Sequence, residues 1–192
     1  KVHPRKNDPP TKMVIRAWKM MFLNLFTTHA IFVGLFFSYL MPLRGCNMNA
    51  ALPPITIMIR DLIISAISVE ILFYYIHAFL HTKFLYRYVH YVHHEFKVTS
   101  AVSFIHAHPV ESVLNDIAVF SGPLLCGAHA STLSIWVILS ISSSMTVHSG
   151  WKIPGMQSPL VHDWHHLFPC ENLGIGPSGF LDEFYGTNKQ WK

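Results

Sequence analysis

Histidine is far out of proportion in this chain: of 14 histidines, 12 lie between His77 and His166. Eight of them form three groups, His-Ala-Phe-Leu-His at 77–81, His-Tyr-Val-His-His at 90–94 and His-Asp-Trp-His-His at 162–166. On a helix, positions three or four apart share a face. His77 then pairs with His81, His90 presents with His93 and His94, and His162 presents with His165 and His166. Each group is a multidentate transition-metal ligand wherever its segment is helical. His148, closing an apolar stretch, adds a ninth imidazole. One ion takes about four to six ligands, so this number predicts two ions, each with roughly four nitrogens and an open position. Imidazole serves iron, zinc, copper and nickel alike, so ligand type does not choose the metal. Soluble di-iron bundles use carboxylates with Glu-x-x-His, and that string is absent here. Cys46, Cys126 and Cys170 are scattered and form no Cys-x-x-Cys pair, so the sequence points to neither a disulfide framework nor a thiolate site.

These histidines need a scaffold, and the composition says where it sits. Apolar residues make up 51% of the chain and charged residues 12%, against about 25% charged in soluble domains. Much of the surface is therefore expected to face lipid. The net charge of +4 is modest, and the basic residues do not alternate with aromatics as in a nucleic-acid surface. Residues 1–21 read as a basic N-terminal arm, opposed to regular structure by Pro4, Pro9 and Pro10. Residues 22–192 read as one domain with spans at about 22–41, 55–80, 113–128 and 130–147. The first span holds no formal charge, and its length matches the roughly 30 Å hydrocarbon thickness. The third is short and broken by Gly122 and Pro123, so spans three and four read either as a re-entrant hairpin or as two tilted crossings.

The expected fold is all-α, an integral membrane bundle of about four transmembrane helices with a cytosolic histidine-rich helical cap. Four crossings place residues 1–19, 81–112 and 148–192 on one side, with 12 of the 14 lysines and arginines. The positive-inside rule makes that side cytosolic. All three histidine groups then share one face of the membrane. His29, at mid-span, and His129, at the far end, read as structural. Glu70, inside the second span, needs a partner in the bundle.

At these residues the chain resembles the fatty acid hydroxylase superfamily, in particular its C-4 methylsterol oxidase-like branch. The resemblance rests on HAFLHTKFLYRYVHYVHHEF at 77–96, AHPVE at 107–111, HSG at 148–150, HDWHH at 162–166 and GTN at 186–188. It covers roughly residues 55–188 and implies a membrane scaffold holding a non-haem di-iron centre. It further implies O2 as co-substrate and electrons from NAD(P)H through a cytochrome b5-type carrier and its reductase. The reaction implied is hydroxylation of a sterol or other membrane lipid, usually in the endoplasmic reticulum. Carried over residue by residue, the ligands are His77, His81, His90, His93, His94, His148, His162, His165 and His166. His108 matches a family position and is a further possible ligand, although a residue before proline is turned away from helix. Glu95, Glu111 and Asp163 are candidates to orient imidazoles through their second nitrogens, or else exposed loop carboxylates. Trp151 and Trp164 are candidates for the substrate mouth or for interfacial anchors.

The resemblance departs from the family pattern at two points. Relatives often continue H-x-G-x with histidine or aspartate, where this chain has Lys152, and a protonated lysine cannot ligate metal. Tyr185 likewise stands where many relatives carry histidine. Three alternatives stay open: a catalytically impaired homologue with a scaffolding role, a zinc-dependent membrane hydrolase, and a metal transporter. The hydrolase typically needs His-Glu-x-x-His, which is absent. The transporter needs ligands across the bilayer, and only His29 sits at mid-depth.

Overall fold

The structure, a computed structural model, describes residues 9–46, 51–154, 157–174 and 179–189. Among these residues every regular element is helical. Helix α1 (Thr11–Leu43) runs unbroken through two π-helical turns, Leu25–His29 and Phe36–Leu40. Helix α2 (Ile55–Leu80) leads to the short α3 (Lys83–Tyr88), then to 3₁₀ turns at His90–Glu95 and Ser103–Ile105. Helices α4 (Pro109–Cys126), α5 (Ala130–Ser149), α6 (Pro159–Leu167) and α7 (Phe180–Tyr185) complete the chain.

The long helices alternate in direction. Near its start α1 is tied to the histidine end, where Arg16 pairs with Glu95 at 2.9 Å. At its finish Arg44 donates to the carbonyls of Leu124 and Leu125 at the last turn of α4. The main helix pair is α2 against α4. They cross at Gly122, where an added Cβ would lie 2.3 Å from the Ser65 Cα. Only hydrogen fits there, as at the close crossings of helices packed through small residues. Phe36, Met41, Phe120, Leu133 and Trp136 form a buried cluster away from the histidines.

Two expectations change. Helix α1 begins at Thr11, so the segment expected as an arm over 1–21 is helical from that residue; residues 1–8 lie outside the described chain. Helix α4 continues through Gly122 and Pro123 instead of breaking there. Proline has no N–H to donate to the carbonyl four residues earlier, which here is Val119. The Trp136 indole fills that place, donating to the Val119 carbonyl at 2.7 Å. A partner helix thus supplies the missing donor.

The outer faces are apolar. Ile59, Ile63, Ile67 and Ile71 line one side of α2 and are 46–55% exposed. Phe22, Phe26, Ile31 and Leu35 on α1 are also exposed. A helix bathed in water carries polar residues on such a face. Helices α1 and α5 are each long and apolar enough to cross a membrane.

Candidate metal centre

The residues that hold the histidines come from four places in the chain. His77 lies in the last turn of α2 and His81 caps its C-terminus. The 3₁₀ turn presents His90, His93 and His94. His148 is in the last turn of α5, which Gly150 ends in a left-handed conformation at φ 74°. That conformation is cheap for glycine and turns the chain toward α6. Helix α6, with Pro159 in its first turn, carries His162, His165 and His166.

All nine imidazoles converge, in two clusters. His77, His81, His90, His94 and His165 make the first, and His93, His148, His162 and His166 the second; within each, the facing atoms lie within 4.8 Å of one another. Eight of the nine are buried, and His81 is half-buried. The Nε2 atoms of His77 and His90 are 3.1 Å apart, as are those of His90 and His94. In the second cluster the His148 and His162 Nε2 atoms are 2.8 Å apart.

Backbone carbonyls choose the tautomers. His77 Nδ1 donates to the Leu173 carbonyl, and His165 Nδ1 to that of Glu171 at 2.7 Å. His93 Nδ1 donates to the His106 carbonyl at 3.2 Å, and His148 Nδ1 to that of Ser144 at 2.7 Å. A neutral imidazole has one proton, so these four Nε2 atoms carry bare lone pairs. The His93 and His148 lone pairs face each other at 3.4 Å, and His165 Nε2 is buried without a hydrogen bond. Such an arrangement is repulsive without a cation between the nitrogens. An ion about 2.1 Å from each nitrogen sets neighbouring donors roughly 3.0–3.4 Å apart, so the residues present fit metal.

Burial keeps the rings neutral. It lowers His90 to about 3 and is likewise the main cause of lowering His93 to about 4. His81, His94, His162, His165 and His166 fall further, again mainly by loss of water, with neighbouring imidazoles adding to the effect. Neutral imidazole is the form that binds metal.

The flanking candidates sort differently. Glu111 is buried, its Oε1 3.0 Å from His90 Nδ1 but out of line for a hydrogen bond. Glu95 pairs with His106 at 2.9 Å and with Arg16, so the ring it orients lies outside both clusters. Asp163 accepts from the Thr99 backbone N–H at 3.1 Å and from the Thr99 hydroxyl. His108 is a helix cap rather than a cluster member: it precedes α4, and its Nδ1 accepts from the Val110 N–H at 3.2 Å. His129 caps α5 in the same way, and His29 pairs with Asp116 at 2.9 Å. Trp151 is 58% exposed just beyond α5, while the Trp164 indole donates to Glu171. Lys152 is exposed, and the second cluster has its four nitrogens without that position.

Sequence reasoning missed the residues that support the ligands. His106 offers its carbonyl to His93. Asp182 and Asn172 hold the segment whose carbonyls orient His77 and His165. The one sequence signal was the Gly-Thr-Asn run at 186–188, close after Asp182.

Fold and site together define a helical protein with an apolar exterior and two adjoining imidazole clusters able to hold metal. The chain belongs to the fatty acid hydroxylase family, whose sequence pattern matches residues 62–187. That is a family of metal-dependent, lipid-modifying oxygenases. The chain is 36% identical over 142 residues to human (Homo sapiens) fatty acid hydroxylase domain-containing protein 2, covering 73% of this chain and 42% of that protein. It is 32% identical over 158 residues to very-long-chain aldehyde decarbonylase GL1-8 of Oryza sativa subsp. indica, covering 77% and 59%. It is 34% identical over 145 residues to methylsterol monooxygenase 2-2 of Arabidopsis thaliana, covering 66% and 54%. The chain thus spans about half the length of these curated relatives. No solved structure matches it.

Proposed function

We propose that this chain is a non-haem di-iron monooxygenase that uses O2 to hydroxylate a C–H bond of a sterol or related membrane lipid. The observation that carries this is the convergence of nine imidazoles, eight of them buried, into two adjoining clusters. A single catalytic zinc takes three protein ligands and keeps its fourth position open for water, so a zinc hydrolase leaves six imidazoles unexplained. The exposed position of Lys152 removes the main sequence argument for an impaired homologue.

Iron bound in these clusters supplies the one-electron and oxygen chemistry that amino-acid side chains lack. The chain's own part is positional. Carbonyls of Leu173, Glu171, His106 and Ser144 hold protons on Nδ1 and leave Nε2 free for metal. Helices close over the rings and keep water from all but His81. That edge, with the Tyr86 ring 5.4 Å from both His81 and His94, is the approach we assign to substrate. Trp151, exposed just beyond α5, is assigned to the membrane interface.

The apolar faces of α1, α2 and α5 support membrane embedding, with four crossings and the histidine centre at the cytosolic face, as the distribution of lysine and arginine favours. A lipid then enters sideways from the bilayer, and endoplasmic reticulum residence follows the family's usual setting. Electrons come from NAD(P)H through a cytochrome b5-type carrier and its reductase. The test is elemental analysis of purified full chain, followed by oxygen consumption with sterols and acyl lipids under that reductase system. About two irons per chain with lipid-dependent oxygen uptake is the expected result. One zinc, or no metal, defeats the proposal.

A further inference from the structure

We propose that Asp182 is a positioning residue for the first imidazole cluster alone, acting through the carbonyls of residues 171 and 173. The inference rests on the reading of the clusters as metal sites.

Asp182 is 2% exposed. Its Oδ1 accepts from the Leu173 N–H at 2.7 Å and from the Thr187 hydroxyl at 2.7 Å, and its Oδ2 accepts from the Gly174 N–H at 2.8 Å. Its own carbonyl accepts from the N–H groups of Thr187 and Asn188. Both ends of one residue are thereby fixed. A Cβ on Gly174 would stand 2.8 Å from Oδ2, so the clasp also demands glycine there.

The clasped segment is what orients two ligands. Leu173 gives its carbonyl to His77 Nδ1, and Glu171 gives its carbonyl to His165 Nδ1. Between them Asn172, at φ 53°, donates its N–H to the Thr187 carbonyl at 2.8 Å and exchanges two side-chain bonds with Lys189. A carboxylate accepting several N–H and O–H bonds holds a segment more firmly than neutral contacts do. His77 and His165 both belong to the first cluster. The second depends on other carbonyls, those of His106 and of Ser144 within α5. Nothing in the clasp reaches it by these bonds.

Groups that fix ligand orientation from behind change metal affinity by roughly ten- to a hundredfold. The experiment uses full-length chain in detergent, loaded anaerobically with Fe(II), with ions counted per chain and their release to a chelator followed in time. The wild type is expected to hold two ions. Asp182→Ala is expected to hold one, released at the wild-type rate. His162→Ala, in the second cluster, should lose the other ion, and the double variant should hold none. Two ions in Asp182→Ala with unchanged release overturns the proposal, and so does one ion surviving in the double variant. If Asp182→Ala does not fold by circular dichroism, Asp182→Asn decides. Its amide keeps the shape but cannot accept from Gly174, so one ion should leave roughly tenfold faster, and unchanged release of both overturns the proposal. Wild-type chain that takes up no metal defeats the functional reading itself, and this inference with it.

Discussion

His94 and His166 stand with ring centroids 4.5 Å apart and planes tilted by 31°, yet they belong to different clusters. They mark the seam between the two sites. On either side of it the two His-x-x-His-His boxes divide in opposite senses. His90 and His94 go to the first cluster and His93 to the second; His162 and His166 go to the second and His165 to the first. The rings three apart stack in both boxes, at 5.5 Å for His90 and His93 and 5.6 Å for His162 and His165. Each box therefore ties both sites together, and neither site is built from one segment.

This division predicts that variants within one box remove different ions. His165→Ala should lose the first-cluster ion and His162→Ala the second, although the residues share one short helix. Metal counting on the double variant checks this, with no ion expected. A double variant that still holds one ion would mean that both side chains serve the same site.

Acid should destabilise the metal-free protein in a defined window. The unfolded chain takes up imidazole protons below about pH 6.5, whereas the folded chain resists until about 4 at His93 and about 3 at His90. The folded values are depressed, so the unfolded state binds more protons in between. Stability is then fully present above pH 6.5 and declines as pH falls toward 4, by up to about 1.4 kcal/mol per pH unit for each such group. Denaturant titrations at pH 7.5, 6 and 5 test this. A flat profile would contradict buried neutral rings.

Trp136→Phe should destabilise the protein by about 1–3 kcal/mol or more, since the Val119 carbonyl loses its donor and the smaller ring leaves a gap in the buried cluster. The expected signature is a lower melting temperature in detergent with unchanged metal content. Gly122→Leu should do worse, because its Cβ meets the Ser65 backbone and helices α2 and α4 must separate. A neutral result for both would show that the α2–α4–α5 contact contributes little.

Lys152→His should leave the metal count at its wild-type value, because residue 152 is exposed and the second cluster is complete without it. His108→Ala should likewise keep its metal while losing about 1 kcal/mol of helix capping. Added metal in the first variant, or lost metal in the second, would place these positions in the centre after all.

The sequence alone determined the parts of this protein that depend on local pattern. Spacing of three and four residues named eight of the histidines, the end of an apolar run named His148, and apolar runs located the four long helices, because these signals are written in neighbouring residues. Tertiary structure decided how the boxes are shared between sites, since a 3₁₀ turn at 90–95 and the facing of two segments set where each ring points. It also decided that α4 survives Pro123, which depends on an indole from another helix. The supports of His77, His93 and His165 come from carbonyls of distant segments. A carbonyl is common to every residue and leaves no mark in composition or spacing, so only the folded chain could reveal them.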